Sequence, residues 1–232
     1  PPRDRILYAR DGFMIVALAW LVLSGIGALP FVISREIPSY IDAFFETASG
    51  FTTTGATIIR DVEALSHGTL FWRSFTHWVG GMVIVLMMAI IPQESGTSMY
   101  IMKAEMPGPI VGKLVPRIRQ TAKVLYLIYL GPTALQVFLL CAGGMPIFDS
   151  LVHTFGTAGT GGFGIKADCL ASYTPYQQWI TAIFMLIFGV NFNLYYLILI
   201  RRARSAFKSE ELWAYIGIVL VASGIICYNI RS

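Results

Sequence analysis

Two short stretches hold residue types that could replace the water shell of a cation: Ser49-Gly50-Phe51-Thr52-Thr53-Thr54-Gly55-Ala56-Thr57 and Gly156-Thr157-Ala158-Gly159-Thr160-Gly161-Gly162-Phe163-Gly164. A dehydrated potassium ion needs several oxygen ligands that hold it without trapping it, and backbone carbonyls aimed into a narrow tube are neutral dipoles of that kind. Glycine reaches the backbone angles such a turn requires, and threonine adds a hydroxyl beside the carbonyls. The candidate coordinating residues are Thr53, Thr54 and Gly55 in the first stretch and Thr160, Gly161 and Gly162 in the second. A plain connecting loop is also rich in Thr and Gly. Either stretch alone fits both uses, and their repetition in one setting favours the cation path.

That setting is a membrane. Of the 232 residues, 56% are hydrophobic and 13% charged, with a mean hydropathy of +0.66, whereas about a quarter of a soluble domain is charged. Residues 12–34, 74–93, 124–148 and 169–200 contain no Asp, Glu, Lys or Arg, and each is long enough to span about 30 Å of hydrocarbon. Residues 212–230 form a fifth candidate span. In hydrocarbon an unpaired peptide group costs several kcal/mol, so non-helical backbone survives only where protein buries it or where it lines a water-filled path.

A shift of 107 residues brings the two stretches into gapless register, with Asp42 on Asp149, Thr47 on Thr154, Gly55 on Gly162, Ile58 on Ile165 and Trp72 on Trp179. Residues 39–49 and 146–155 precede the loops; at 1.5 Å per residue they make helices of about 15 Å, half the hydrocarbon thickness. They read as half-helices entering from the outer face. Pro38, Ser39 and Asp42 mark the first start, and Pro146 and Asp149 the second. The negative ends of both helix dipoles then point at the Thr/Gly loops, where they favour a cation.

The expected fold is an all-α membrane protein of repeated span–re-entrant pore helix/loop–span units, with two complete units and the first helix of a third. The first unit covers 1–102, a basic cytoplasmic linker 103–123, the second unit 124–208, and the first helix of a third unit 209–232. Met106-Pro107-Gly108-Pro109 breaks any helix in the loop between the units.

The 17 Lys and Arg against 13 Asp and Glu give a net charge of +4, and their grouping argues against nucleic acid. Arg3, Arg5 and Arg10, then Lys103, Lys113, Arg117, Arg119 and Lys123, then Arg201, Arg202, Arg204 and Lys208 fall on one face of the expected topology, which the positive-inside rule makes cytoplasmic. Cys141, Cys169 and Cys227 are too widely spaced for a disulfide framework or a zinc site. With no initiator Met and no signal-peptide pattern at its start, the chain reads as an interior piece of a longer one.

Phe44-Phe45-Glu46-Thr47-Ala48-Ser49-Gly50-Phe51-Thr52-Thr53-Thr54-Gly55-Ala56-Thr57 resembles the first pore loop of the Trk/Ktr/HKT superfamily of potassium transporters, and Thr157-Ala158-Gly159-Thr160-Gly161-Gly162-Phe163 resembles the second. Residues 103–117 are similar to the linker of the bacterial TrkH/KtrB type. The resemblance covers nearly the whole chain. It implies a multi-pass protein of the bacterial inner membrane that takes up K⁺ through a filter of four units, with one filter glycine in each, here Gly55 and Gly162. Only two of the four loops are present. The resemblance further implies a homodimer in membrane lipid, a cytosolic nucleotide-binding regulatory subunit for which residues 93–123 are a candidate contact, no organic cofactor and no enzymatic activity.

Other residues admit more than one role. Glu46 could concentrate cations at the outer mouth or pair with Arg35, Arg60 or Arg73. His77, alone among apolar residues, reads as a hydrogen-bonded packing residue. Gly80, Gly81 and Gly189 permit close backbone approach, Asn191 and Asn193 suit contacts between helices, and Tyr195, Tyr196, Trp20 and Trp72 suit packing or the membrane interface. Competing functions are K⁺/H⁺ or K⁺/Na⁺ symport through the same pore, an intramembrane hydrolase using Ser74, His77 or His153, and a non-conducting assembly subunit. The hydrolase lacks a Ser/His motif and leaves the doubled loop without purpose.

Overall fold

The computed structural model describes residues 9–82, 118–199 and 201–231. The end of the expected second span (83–93) and residues 103–117 of the basic linker, including Met106-Pro107-Gly108-Pro109, lie outside the described residues. The described residues form helices joined by turns and short loops, without strands.

The chain opens with α1 (Ala9–Gly27) and the single turn α2 (Leu29–Ile33). Ser39 starts α3 (Tyr40–Phe51) by accepting a hydrogen bond from the Asp42 amide, and Ser66 starts α4 (His67–Gly80) by accepting one from Thr69. Each satisfies an amide that the first helical turn leaves unpaired. After α5 (Ile118–Ala142), Pro146 leads into α6 (Ile147–Ala158). Thr174 and Gln177 form a reciprocal capping box at the start of α7 (Pro175–Gly189), where Pro175 loses no helical hydrogen bond. The chain ends in α8 (Phe192–Leu199), α9 (Ala203–Phe207) and α10 (Glu210–Arg231).

Among the described residues, three segments are long and apolar enough to cross a membrane: Met14–Ile33, Val124–Ala142 and Glu210–Ile230, with mean hydropathies of 2.3, 1.9 and 1.8. Their boundaries and those of their neighbours correct the sequence reading in four places. The helix expected from residue 74 starts at His67. Arg73 had set the charge-free limit, and inside the fold its charge is neutralised by Glu46. The expected span 124–148 stops at Ala142, because Gly144, at φ 82, turns the chain in a Schellman motif: Gly144 N–H donates to Cys141 O and Met145 N–H to Leu140 O.

The stretch 169–200, expected as one span, is two helices. Turns occupy its first residues, and Val190 (ψ 140) and Asn191 separate α7 from α8. Carbonyls freed at this break are not left bare. Tyr195 Oη donates to Ile187 O at 2.6 Å and Tyr215 Oη to Leu186 O at 3.2 Å, while Asn191 Nδ2 donates to Glu211 of α10. The short helices, finally, are a little longer than expected, with 12 residues each.

Helix α4 is the keystone of the packing. It lies against α3 of its own hairpin and against α6 of the next, so it is the element through which both Thr/Gly loops are held. Along α4, Phe71, Phe75 and Trp78 each meet the Phe155 ring of α6, with centroids 5.7, 5.8 and 5.4 Å apart. Behind them Met82, Tyr129, Ala158, Phe184 and Phe188 form a core cluster that joins α4, α5, α6 and α7. A second cluster, Ala28, Phe31, Ile37 and Ala43, seats α3 on α1 and α2, and Trp72 Nε1 donates to Gly27 O at 2.9 Å across the same contact. Gly80 and Gly81 let α4 approach closely, since a Cβ on Gly80 would run into Phe51 O and one on Gly81 would lie 2.6 Å from Tyr129 Oη.

Candidate functional site

Both short helices end in the same way. In α3, Thr53 N–H donates to Gly50 O and Thr54 N–H to Ser49 O; in α6, Thr160 N–H donates to Thr157 O and Gly161 N–H to Gly156 O. These are Schellman pairs, the same as at Gly144, with one substitution. The left-handed position that glycine occupies after α5 is taken here by Thr53 (φ 55) and Thr160 (φ 52). A β-branched residue there is strained by roughly 1–2 kcal/mol, and strain that recurs at matching positions marks a functional site more than a connector. Two residues further on, Gly55 (φ 79) and Gly162 (φ 69) are left-handed again.

The six candidate ligands therefore sit on two backbones of one shape, at the C-terminal, electronegative ends of α3 and α6. The structure brings the backbones into contact. A Cβ on Gly55 would collide with the Gly161 carbonyl, whereas one on Gly162 would meet nothing. Thr54, Thr160 and Gly162 are exposed, and Thr53, Gly55 and Gly161 are half-buried.

The first loop is fastened by side chains of its own hairpin. Ser49 Oγ donates to Ala56 O at 2.6 Å, Thr52 Oγ1 donates to Ala48 O at 2.7 Å, and the Thr52 and Thr54 hydroxyls are 2.8 Å apart. Glu46 accepts from Thr57 Oγ1 and from the Ile58 amide, each at 3.0 Å. Its remaining partner is Arg73 of α4, whose Nε lies 2.7 Å from Glu46 Oε1 with both side chains buried. Of the roles open to Glu46, the structure selects the ion pair with Arg73.

The second loop leans on α4 instead. Gly159 and Gly161 pack so closely on His77 that a Cβ would come within 2.8 Å of His77 O or 2.9 Å of His77 Cδ2. The Phe163 ring meets the His77 imidazole at 4.4 Å between centroids and lies 4.1 Å beneath the Arg73 guanidinium. His77 Nδ1 is 3.2 Å from Arg73 O, and its Nε2 has no hydrogen-bond partner among the described residues. Ser74 Oγ and His153 Nε2 are likewise unpartnered, so these candidates of the hydrolase reading make no hydroxyl–imidazole hydrogen bond through those atoms. At the start of α6, Tyr173 Oη donates to Asp149 at 3.1 Å, and burial together with the Asp149 charge pushes the phenol up. No group of three His, Cys, Asp or Glu side chains among the described residues is placed to hold a metal ion.

Sequence reasoning found the loops but missed the part that His77, Phe163 and Arg73 play in joining them. A signal was available: the same 107-residue shift puts His153 on Glu46 and Ile180 on Arg73. The charged pair therefore belongs to one hairpin only, although the loops recur.

Residues 3–215 match the TrkH family, described as cation transport proteins. The chain is 43% identical over 220 residues to the Trk system potassium uptake protein TrkH of Salmonella typhimurium, covering 92% of this chain and 45% of the relative. With its counterpart in Escherichia coli K12 it shares 42% over 217 residues, covering 91% and 45%. The crystal structure of the potassium transporter TrkH from Vibrio parahaemolyticus superposes with a TM-score of 0.77 at 34% identity, covering 95% of this chain and 45% of that one. The chain thus spans about half the length of the relatives it matches.

Proposed function

Because the chain belongs to the TrkH family of cation transport proteins, we propose that it forms half of a potassium-uptake pathway in a bacterial inner membrane. The family is one of transport proteins rather than enzymes. In this reading α3 and α6 are re-entrant half-helices, residues 1–102 and 124–208 are two span–pore–span units joined by the linker 103–123, and 209–232 opens a third. K⁺ is the cargo. Thr53, Thr54 and Gly55, with Thr160, Gly161 and Gly162, turn carbonyl oxygens toward a shared axis and replace its hydration shell.

The observation that carries the proposal is the pair of Thr residues held left-handed at a position where glycine would be relaxed, each followed two residues later by a left-handed glycine. A backbone that alternates in this way can turn successive carbonyls to one side, as an ion ladder needs. The helix ends add their negative dipoles to the same place. The names of the relatives place them in a Trk system. Those names support association with further components of such a system; in our reading the protein works as a homodimer in lipid with a cytosolic nucleotide-binding regulatory subunit, for which residues 93–123 are the candidate contact. No organic cofactor takes part.

The test is ion flux through the intact protein in liposomes. Gly162→Ser, whose Cβ would meet open space, is expected to lower the preference for K⁺ over Na⁺ while leaving a folded protein. An unchanged preference would count against this loop as the filter.

A further inference from the structure

Glu46 and Arg73 form a buried ion pair whose two members reach different loops. Apart from Arg73, the carboxylate's hydrogen-bond partners among the described residues lie in the first: Thr57 Oγ1 donates to both its oxygens at 3.0 Å, and Ile58 N–H donates to Oε2 at 3.0 Å. The guanidinium reaches the second, where Nη1 donates to Gly164 O at 3.5 Å and the Cζ atom lies 4.1 Å from the Phe163 ring centroid. Thr57 comes two residues after Gly55, and Phe163 follows Gly162 directly. One charged bond of 2.7 Å therefore connects the segments that leave the two candidate ion-binding turns.

Stability alone does not account for such a pair. Desolvating two charges costs several kcal/mol for each ion, and replacing a buried pair with apolar side chains of similar volume is often neutral or stabilising. The second hairpin makes the point within the same chain, because it builds the same helix ending and the same loop with His153 and Ile180 at the equivalent positions. What a fixed, bidirectional pair supplies is position. Glycine contact between Gly55 and Gly161 brings the loops together, but sliding of one along the other is opposed by groups that grip each.

We propose that Glu46 and Arg73 are positioning residues that set the register of the two loops and so the discrimination between K⁺ and Na⁺. The inference rests on the cation-pathway reading above. Neither side chain needs to touch the ion. Loosening the clasp lets the carbonyl cage adapt to the smaller cation, so selectivity falls although the protein remains folded.

The intact protein in liposomes, assayed for Rb⁺ uptake against Na⁺ competition, tests this. The apolar double variant Glu46→Leu/Arg73→Met is expected to unfold near the wild-type temperature, yet to lose about tenfold in Rb⁺/Na⁺ discrimination, about 1.4 kcal/mol of differential affinity. Should that variant fail to fold, Arg73→Lys keeps the charge and gives up the planar fork that reaches both Glu46 and Gly164; a smaller loss in the same direction is expected. Folded variants with wild-type discrimination would overturn the clasp while leaving the pathway intact. A wild-type protein without preference for Rb⁺ over Na⁺ would overturn the pathway and the clasp together.

Discussion

The two hairpins of this chain have the same backbone and different supports. Each ends its short helix in a Schellman turn, each places a threonine and then a glycine in the left-handed region, and each presents its loop at an electronegative helix end. Around the first loop stand an ion pair and four hydroxyl-bearing residues, Ser49, Thr52, Thr54 and Thr57. Around the second stand His77, Phe163 and packed glycines. Where backbone shape recurs and side-chain chemistry does not, the backbone carries the shared task. Carbonyl coordination is a task of that kind, and catalysis by side chains is not.

Substitution of the paired glycines should separate the hairpins most strongly. Gly55→Ala puts a methyl group into the Gly161 carbonyl as well as into a left-handed residue; the strain of roughly 1–2 kcal/mol is joined by an overpacking cost of about 1–3 kcal/mol. Gly162→Ala meets open space and bears only the first of these. Thermal unfolding of the intact protein should show the larger drop for Gly55→Ala, with K⁺ uptake abolished, and equal drops would mean that the loops do not touch as described.

The left-handed threonines come next. Thr53→Gly or Thr160→Gly relieves strain of about 1 kcal/mol and is expected to raise the unfolding temperature while lowering K⁺ selectivity, because a hydroxyl and a fixed turn are lost together. A variant that gains stability and keeps full selectivity would make these residues structural.

At the break between α7 and α8 the contrast is with an unbroken helix. Tyr195→Phe removes the 2.6 Å bond to the Ile187 carbonyl, which keeps only the 3.3 Å bond from Val190 N–H, and the loss of one such hydrogen bond costs about 0.5–1.5 kcal/mol. A lower unfolding temperature is expected, and no change would show that Tyr195 does not support the break.

The smallest effect concerns pH and the start of α4 in the first hairpin. Glu36 accepts from the Ser66 amide at the start of α4. Burial raises its carboxyl, but hydrogen bonds from Ser66 and Thr69 outweigh this and leave it below the ordinary 4.5. A depressed carboxyl stabilises the fold above its unfolded value, and the gain disappears as pH falls through the folded one. Unfolding temperature should thus drop slightly more between pH 6 and 3, roughly the range where a carboxylate titrates, for wild type than for Glu36→Gln. Identical slopes would remove Glu36 from the account.

Much of this was legible beforehand because it depends on local chemistry. Ser39 and Asp42 announce α3, Pro146 and Asp149 announce α6, and the Thr/Gly runs stand out against apolar flanks. The start of α4 was not legible, because a lone Arg73 in the sequence looks like a boundary and only its tertiary partner makes it a core residue. The break at Val190 was hidden for a similar reason. Nothing in an apolar run reports that distant tyrosine hydroxyls will satisfy the freed carbonyls. Contact between Gly55 and Gly161 depends on how α4 seats both short helices, which no repeat of the sequence encodes by itself.

Anomalous diffraction from crystals of the intact protein grown in Rb⁺ shows whether the two Thr/Gly turns face one ion path. A shared path gives a peak bounded by the carbonyl oxygens of Thr53–Gly55 and Thr160–Gly162. Peaks confined to other places, with those oxygens packed against protein, would mean that the turns line no path.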